Sequence, residues 1–300
     1  MIHHLILADD PEPEIHVHQG KLISGKRKIA VEVLGSVQCF ASRARWTQTA
    51  LEILSSQCPC VMVRWDARAG KWATFSLAQR CRHVNPTALA KLCRLPERRA
   101  TQLASDILLT KVGNQHSLLR ALDPFLAPMP KLQATSFSRI LRAESRYART
   151  FWPRYFAAAS SDLFTREKRK ATHPLNASLN YGYGFLYHAI EWQCIASGLE
   201  PSVGIIHKDR KNRPSLVCDL IEPFRCCVEI TLMRHPDSMH EKKDMAARYA
   251  EMMEELWTYR GHRFRLRSII RLTVESFVNA LLKPASSFKP FVLHARDACL

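Results

Sequence analysis

Residues 173–207 read HPLNASLNYGYGFLYHAIEWQCIASGLEPSVGIIH, and this stretch predicts a long helix followed by a short strand. Proline suits the first position of a helix and glycine suits its end, so Pro174 and Gly198 delimit a predicted helix over residues 175–197. The apolar run at residues 203–207 has the length and the β-branched side chains of a strand. That strand would end in His207 and place its imidazole at the mouth of a core.

On either side of this stretch the sequence pattern differs. Upstream, short β-rich runs predict strands over residues 15–18, 21–23, 30–33, 37–40, 60–64 and 72–75, with one helix over 47–56. After residue 76, helical periodicity predicts helices over 88–93, 97–113, 116–122, 137–156, 239–257 and 267–282 in addition to 175–197. The predicted fold class is α+β. A small β-rich domain with one helix occupies residues 1–78, a linker residues 79–88, and a larger all-α domain residues 89–300, with an irregular tail from residue 283.

The charge balance indicates a polyanionic partner. Lysine and arginine number 44 against 27 aspartate and glutamate residues, which gives a formal net charge of +17. Such an excess favours nucleic acid or an anionic membrane, and a merely soluble basic protein is the alternative. No run approaches the roughly 18 apolar residues that a spanning helix needs, and the first residues do not resemble a secretory signal. We therefore expect a cytoplasmic protein that binds DNA and no membrane, with its ten cysteines as free thiols.

One acidic residue interrupts an apolar helix face. In the predicted helix over 137–156, Glu144 falls on the same stripe as Tyr147 and Phe151. The opposite side carries basic residues that could bind a DNA backbone, namely Arg142, Arg146 and Arg149. A buried carboxylate is costly unless a cation or hydrogen-bond donors meet it, so Glu144 is a candidate ligand, with a structural Glu–Arg pair as the alternative. Pro153 is expected to kink or end this helix.

Two further acidic residues follow His207. Asp219 and Glu222 are spaced i and i+3 in a predicted helix and therefore point to one face. The loop between them and His207 is basic, and four of its side chains could hold phosphates: Lys208, Arg210, Lys211 and Arg213. A structural histidine and an ordinary solvated acidic face are the alternatives.

Carboxylates together with one imidazole are a plausible site for Mg²⁺ or Mn²⁺. Hard oxygen ligands suit both ions, and a nitrogen ligand favours Mn²⁺. A divalent ion beside a basic surface is what phosphoryl transfer on nucleic acid requires, because the ion polarises the phosphate and the cationic side chains position the backbone.

Several segments, in this order, resemble the integrase of CRISPR adaptation, the enzyme that inserts new spacers into CRISPR arrays. Residues 173–207 resemble the family's Asn/Asp-Pro-x-Asn, Asn-Tyr-Gly-Tyr and Gly-Leu-x-Pro-x-x-Gly-x-x-His run, and DLIEPFR at 219–225 resembles its Asp-Leu-x-Glu-Pro-Phe-Arg. RAESRYARTFW at 142–152 and KVGNQHSLLR at 111–120 resemble two of its helices, and residues 33–73 resemble the end of its β-domain. The likeness extends over about residues 15–230.

The resemblance implies specific roles. Glu144, His207 and Glu222 match the family's metal-binding positions, and Asp219 matches a direct ligand or its neighbour. The family also implies a homodimer formed through the β-domain, a possible small ferredoxin-like second subunit, and protospacer and CRISPR repeat or leader DNA as partners. The reaction implied is attack of a DNA 3′-hydroxyl on a repeat phosphodiester. This sequence departs from the family at Ser145, where glycine is usual, and at His173, where asparagine or aspartate is usual.

Two other interpretations stay open at this point. The same site using water would make a structure-selective DNA endonuclease or a transposon-type integrase. A non-catalytic basic scaffold that binds nucleic acid, with a purely structural acid–histidine cluster, is the second alternative.

Overall fold

A computed structural model describes residues 3–7, 13–31, 34–39, 44–57, 60–66, 71–76, 84–129, 136–160, 165–168, 170–207, 214–236, 242–283 and 285–298. The chain divides into two units. Unit 1 comprises residues 1–84 and 241–250, and unit 2 comprises residues 85–240 and 251–300. The bounds predicted for the functional domains, 1–78 and 89–300, stay a prediction.

Unit 1 is the β-rich part of the chain. In chain order its elements are β1 (His3–Leu7), β2 (Glu14–His18), β3 (Lys21–Ser24), β4 (Arg27–Ala30), β5 (Leu34–Cys39), β6 (Arg45–Trp46), α1 (Gln48–Gln57), β7 (Cys60–Asp66) and β8 (Lys71–Ser76). Within the described ranges the strands form two four-stranded sheets, of order β1-β5-β7-β8 and β4-β3-β2-β6. In the first sheet β5 pairs parallel with β1 and β7, and in the second β3 pairs antiparallel with β2 and β4.

The core of unit 1 follows from strand alternation. Ile15 and Leu22 are buried on neighbouring strands, and they cluster with Val37 of β5 and Leu54 of α1. Alternate side chains of a strand face one side, so these positions face inward while their polar neighbours face outward. The turn between β2 and β3 has Gln19 and Gly20 at φ values of 48° and 69°, the left-handed pair that a two-residue hairpin favours.

The strands and helix predicted for unit 1 are confirmed, with shifts at their ends. The exception is the strand predicted over 30–33, which is displaced: the observed strand is Arg27–Ala30 and shares only residue 30 with the prediction. Residues 32, 33 and 40 lie outside the described residues. His3–Leu7 and Arg45–Trp46 are strands that the sequence pattern did not indicate.

Unit 2 is mostly helical. Its elements are α2 (Pro86–Cys93), α3 (Glu97–Leu122), α4 (Phe137–Ala159), α5 (Pro174–Ala196), α6 (Ser215–Leu220), α7 (Arg225–Arg234), the last part of α8 (Lys242–Glu254), β9 (Leu256–Tyr259), β10 (His262–Arg265) and α9 (Leu266–Leu282). Helix α5 packs against α6, α7 and α9, and α3 packs against α4. Most residues of α5 are buried, so this helix forms the centre of the unit. No helix in the described ranges has the length and apolarity that crossing a membrane would require.

Two predicted helix ends are absent. Residues 97–122 form one helix, α3, rather than two, because Gly113 is tolerated in its interior. Helix α4 continues through Pro153 to Ala159. The aromatic side chains around this proline pack ring against ring, with Phe151 and Trp152 each contacting Tyr155. Aromatic packing of this kind stabilises the helix around a residue that cannot donate a backbone hydrogen bond.

The strand predicted at residues 203–207 is wrong. Residues 203 and 204 have no regular secondary structure, and residues 205–207 form a bend. The backbone N–H groups of Ile205, Ile206 and His207 donate to the carboxylate of Asp219 instead of to a neighbouring strand. The only hairpin in the described part of unit 2 is β9–β10, and it replaces the end of the helix predicted over 239–257. The larger domain is therefore mostly helical rather than all-α.

The segment after α9 packs into unit 2. Phe291 is fully buried and stacks on Phe224, with ring centroids 5.3 Å apart and planes 3° from parallel. Asn114 of α3 donates to the carbonyl oxygens of Pro223 and Phe291 at 2.7 and 2.9 Å and accepts from the Leu293 N–H at 2.8 Å. One buried amide thus joins three distant segments beside Glu222.

Candidate metal and phosphoryl-transfer site

A lysine lies between two of the predicted acidic residues. Lys111 projects from α3, and its Nζ is 2.6 Å from Oε1 of Glu144 on α4 and 2.6 Å from Oε2 of Glu222. The three side chains are largely buried, with exposed fractions of 13% for Lys111, 20% for Glu144 and 6% for Glu222. The structure therefore brings Glu144 and Glu222 together around one positive charge.

Glu222 is held by a second cation. It begins a 3-10 turn, Glu222–Phe224, that separates α6 from α7, and its Oε1 is 3.1 Å from the Arg225 guanidinium. Burial alone would raise the pKa of Glu222, but Arg225 and Lys111 outweigh it and lower the pKa to about 2. The pKa of Lys111 is raised because Glu222 and Glu144 outweigh its own burial and the nearby Arg225. Both groups are therefore charged at neutral pH.

Asp219 orients His207. The Asp219 side chain is completely buried, and its Oδ1 is 2.6 Å from His207 Nδ1. The same carboxylate accepts from the N–H groups of Ile205, Ile206 and His207 at 2.6, 3.0 and 3.0 Å. All of these bonds fix the bend that carries His207, and they leave Nε2 as the ring nitrogen available to a ligand or a proton.

Gly204 is required by this bend. A Cβ at this position would lie 2.6 Å from the carbonyl oxygen of His207, 2.7 Å from Ser215 Cβ and 3.1 Å from Asp219 Oδ2. Any side chain would therefore push the bend away from Asp219. Glycine at position 204 allows the backbone to approach Ser215 and Asp219 closely. This gives a physical reason for a glycine three residues before His207.

His207 lies within electrostatic range of Glu222. Its charge is among those that lower the pKa of Glu222, after the effects of Arg225 and Lys111. In the described part of the chain no three His, Cys, Asp or Glu side chains already form a cluster that could hold a metal ion. The donor chemistry nevertheless fits a hard divalent cation, because two carboxylates converge on one positive charge and Asp219 orients the His207 imidazole.

The predicted DNA-binding residues fall into two groups. Arg142, Arg146 and Arg149 are exposed on α4, the helix that carries Glu144. Arg142 donates to the carbonyl of Ser138 at 3.3 Å in its own helix. The other four predicted residues, Lys208, Arg210, Lys211 and Arg213, lie outside the described residues.

Comparison with protein-family models identifies the family of this chain. The model described as CRISPR associated protein Cas1 matches residues 14–235, which include Lys111, Glu144, His207 and Glu222. The chain belongs to the Cas1 family.

Curated Cas1 relatives match parts of the chain. A protein named CRISPR-associated endonuclease Cas1 from Korarchaeum cryptofilum is 25% identical over 241 residues, which cover 66% of this chain and 71% of the relative. A protein named CRISPR-associated endonuclease Cas1 2 from Pyrobaculum aerophilum is 31% identical over 151 residues, or 49% of this chain and 44% of the relative. The chain thus spans less than half of the length of the Pyrobaculum relative.

Solved structures of Cas1 and related proteins share the fold. A casposase bound to integration product superposes with a TM-score of 0.71 at 18% identity, covering 96% of this chain and 93% of the casposase. A Cas1 protein from Thermotoga maritima gives a TM-score of 0.67 at 16% identity and covers 94% and 97% of the two chains. These similarities establish an α+β fold with a β-rich N-terminal part and a mostly helical remainder.

The sequence pattern did not single out two cationic residues of this Cas1 site. Lys111 and Arg225 are part of quoted family-like segments, but a lysine or arginine in a helix usually faces solvent. A signal for Lys111 was available, because it follows the buried Leu108 by three positions and precedes the buried Val112 on α3. Its acidic partners, however, lie 33 and 111 positions further along the chain, and no local pattern connects them.

Proposed function

We propose that this chain is a divalent-metal-dependent DNA integrase, which inserts short protospacer DNA into a CRISPR array by attack of a DNA 3′-hydroxyl on a repeat phosphodiester. The observation that carries the proposal is the convergence of Glu144 and Glu222 on one point, 2.6 Å from a single cationic nitrogen. Family membership supports it, and so does the +17 net charge of the chain.

In this proposal the metal is Mg²⁺ or Mn²⁺. Glu144 and Glu222 would supply carboxylate oxygens, and His207 would supply Nε2. Asp219 would not be a direct ligand, because its oxygens are occupied by His207 Nδ1 and three backbone N–H groups. Such an ion polarises the phosphate and stabilises charge on the attacking or leaving oxygen.

The other residues of the site would position these groups and the DNA. Asp219 holds His207 in one tautomer and one orientation, and Arg225 holds Glu222 in its charged form. Exposed arginines on α4 would bind phosphates of the DNA backbone. No covalent protein intermediate is needed, because the 3′-end of the DNA supplies the nucleophile, so the chain acts through positioning and charge.

Partners are proposed from the same comparisons. A Cas6-RT-Cas1–Cas2 complex has a chain of this fold, with a TM-score of 0.71 at 20% identity, covering 97% of this chain and 36% of that one. We propose that this chain also assembles with a small second subunit of the Cas2 type and forms a homodimer through residues 1–78. A cytoplasmic location remains the prediction from sequence.

A water-using DNA endonuclease is the second candidate function. It is favoured by the curated relatives, which are named endonucleases. The two functions share the same site residues, so substitutions at Glu144 or Glu222 do not separate them. They differ in the nucleophile, which is a DNA 3′-hydroxyl in one case and water in the other.

Blocking the 3′-ends of the DNA separates the two functions. A short labelled duplex is incubated with a supercoiled plasmid that carries a CRISPR repeat, the protein and Mn²⁺ or Mg²⁺. We expect the label to join the plasmid, and we expect joining to fall to background when the duplex ends are dideoxy-blocked. If the plasmid is nicked equally well with blocked ends, and the label never joins it, the nuclease function replaces the integrase.

A second prediction concerns the exposed arginines of α4. Replacing Arg142, Arg146 and Arg149 by alanine should weaken DNA binding and flatten the dependence of log K on log salt, by about 0.9 for each phosphate that is no longer neutralised. The slope is measured by fluorescence anisotropy with a labelled duplex between roughly 50 and 200 mM salt, a range over which affinity falls steeply when a protein neutralises phosphates. Exposed arginines elsewhere in unit 2, such as Arg94 and Arg98, provide a matched control. An unchanged slope in the triple variant means that this helix face does not bind DNA.

A further inference from the structure

The charge at the centre of the site belongs to the protein itself. Lys111 Nζ donates to Glu144 Oε1 at 2.6 Å and forms an ion pair of 2.6 Å with Glu222 Oε2. The Lys111 side chain is only 13% exposed, so its ammonium is largely shielded from water. The nitrogen thus lies where the two carboxylates converge.

The two carboxylates need a cation at this point. Two negative charges that approach the same position in a poorly solvated region repel each other strongly, and an unpaired buried carboxylate is costly. Glu222 retains Arg225 as a partner on its other oxygen, whereas the only ion pair of Glu144 with another described residue is the one with Lys111. Lys111 is therefore what holds Glu144 beside Glu222 in this structure.

A divalent cation and Lys111 cannot occupy this position together. A Mg²⁺ ion bound to both carboxylates would need oxygen ligands at about 2.0–2.1 Å, which is closer than the ammonium lies. It would also be repelled by a positive charge a few ångströms away.

We infer that Lys111 is a positioning residue that acts as a built-in substitute cation: it holds Glu144 and Glu222 together in the metal-free protein and competes with the divalent ion for them. This inference rests on the proposed metal dependence. Lys111 would therefore have opposite effects on the metal-free and the metal-bound protein. Lys111 stabilises the metal-free protein, and it weakens metal binding.

Mn²⁺ affinity is the direct test. Free Mn²⁺ is measured by electron paramagnetic resonance during titration of the whole protein, for wild type, Lys111→Met and Lys111→Gln. Methionine keeps much of the length of the side chain without its charge, and glutamine keeps a hydrogen-bond donor should methionine disturb folding. We expect each variant to bind Mn²⁺ about tenfold more tightly than wild type, because the competing charge is gone.

Thermal unfolding provides a second measurement that does not depend on activity. Without metal, Lys111→Met should melt at a lower temperature than wild type, and Mn²⁺ should raise its melting temperature by more than it raises that of wild type. Lys91→Met is the matched control, because the ammonium of Lys91 is exposed and donates to the carbonyl of Leu282. This control should show the Mn²⁺ affinity of wild type.

The outcomes separate the two ideas. If wild type binds Mn²⁺ and both Lys111 variants bind it equally or more weakly, Lys111 is not a competitor and the inference is overturned. If wild type, the Lys91 control and the Lys111 variants all bind no Mn²⁺ while they are folded, the proposed metal dependence itself fails and the role of Lys111 fails with it. Tighter binding by either folded Lys111 variant supports the inference.

Discussion

Glu144→Gln should lower the rate of strand joining about thousandfold while DNA binding stays close to that of wild type. The substitution keeps the shape of the side chain and removes one of the two carboxylates that converge on Lys111. A metal in phosphoryl transfer contributes several kcal/mol of transition-state stabilisation, and each tenfold in rate corresponds to about 1.4 kcal/mol. The measurement is the initial rate at which a labelled duplex joins a plasmid.

Folding should be affected little by this change. Glu144 is partly exposed, and Lys111 retains Glu222 as a partner, so we expect a decrease of about 1 kcal/mol in the free energy of unfolding. Glu191→Gln is the matched control, because Glu191 is a half-buried glutamate of α5 that pairs with His188 at 3.1 Å. Near wild-type joining by Glu144→Gln would contradict the assignment of Glu144 to the site. Equally slow joining by the Glu191 variant would indicate a general effect on stability.

Asp219→Asn should be harmful in a different way, by lowering both stability and activity. The Asp219 carboxylate accepts from three backbone N–H groups and from His207 Nδ1 while it is completely buried. An asparagine amide would replace one of the two accepting oxygens by an NH₂ group, and this donor would face the backbone N–H groups or His207 Nδ1. We expect the free energy of unfolding to fall by about 3 kcal/mol, measured by urea denaturation.

The activity of Asp219→Asn should fall about a hundredfold, because substitution of a group that orients a metal-binding histidine has effects of this order. Its Mn²⁺ affinity should weaken in parallel, which separates it from Lys111→Met, where affinity is expected to rise. Alanine at the exposed Asp123, which caps the end of α3, serves as a control for removal of an acidic residue in the same unit. Wild-type Mn²⁺ affinity in a folded Asp219→Asn protein would show that His207 needs no such support.

Local sequence patterns predicted the elements that are determined by neighbouring residues, such as a helix with its own start and stop signals. Helix α5 has a proline at its first position and a glycine two residues after its end, and it was predicted within one residue at each end. The run at 203–207 misled for a physical reason, since the apolar residues 203–206 that precede His207 are compatible with a strand as well as with a bend. The N–H groups of residues 205–207 are satisfied instead by Asp219, which lies more than ten positions away.

The sequence predicted the acidic residues of the candidate site, but not the cationic side chains that pair with them. Glu144 was indicated by the cost of a carboxylate on an apolar stripe, and the structure supplies the cation that offsets this cost. The i, i+3 spacing of Asp219 and Glu222 suggested one shared face. However, the helix ends between them, and the two carboxylates take different partners, His207 and Lys111. Which cation meets which carboxylate depends on interactions between distant segments, and periodicity carries no information on them.

The buried amide of Asn114 has a consequence for how the protein is made. Its partners are Pro223, next to Glu222, and Phe291 and Leu293 in the segment after α9. A ribosome adds roughly 5–20 residues per second, so the turn that carries Glu222 emerges several seconds before the segment that fastens it. Until Phe291 has been added, its carbonyl cannot accept from Asn114 and its ring cannot stack on Phe224, so the turn that carries Glu222 lacks these two contacts. The geometry around Glu222 is therefore completed only after residues 291–293 have been translated.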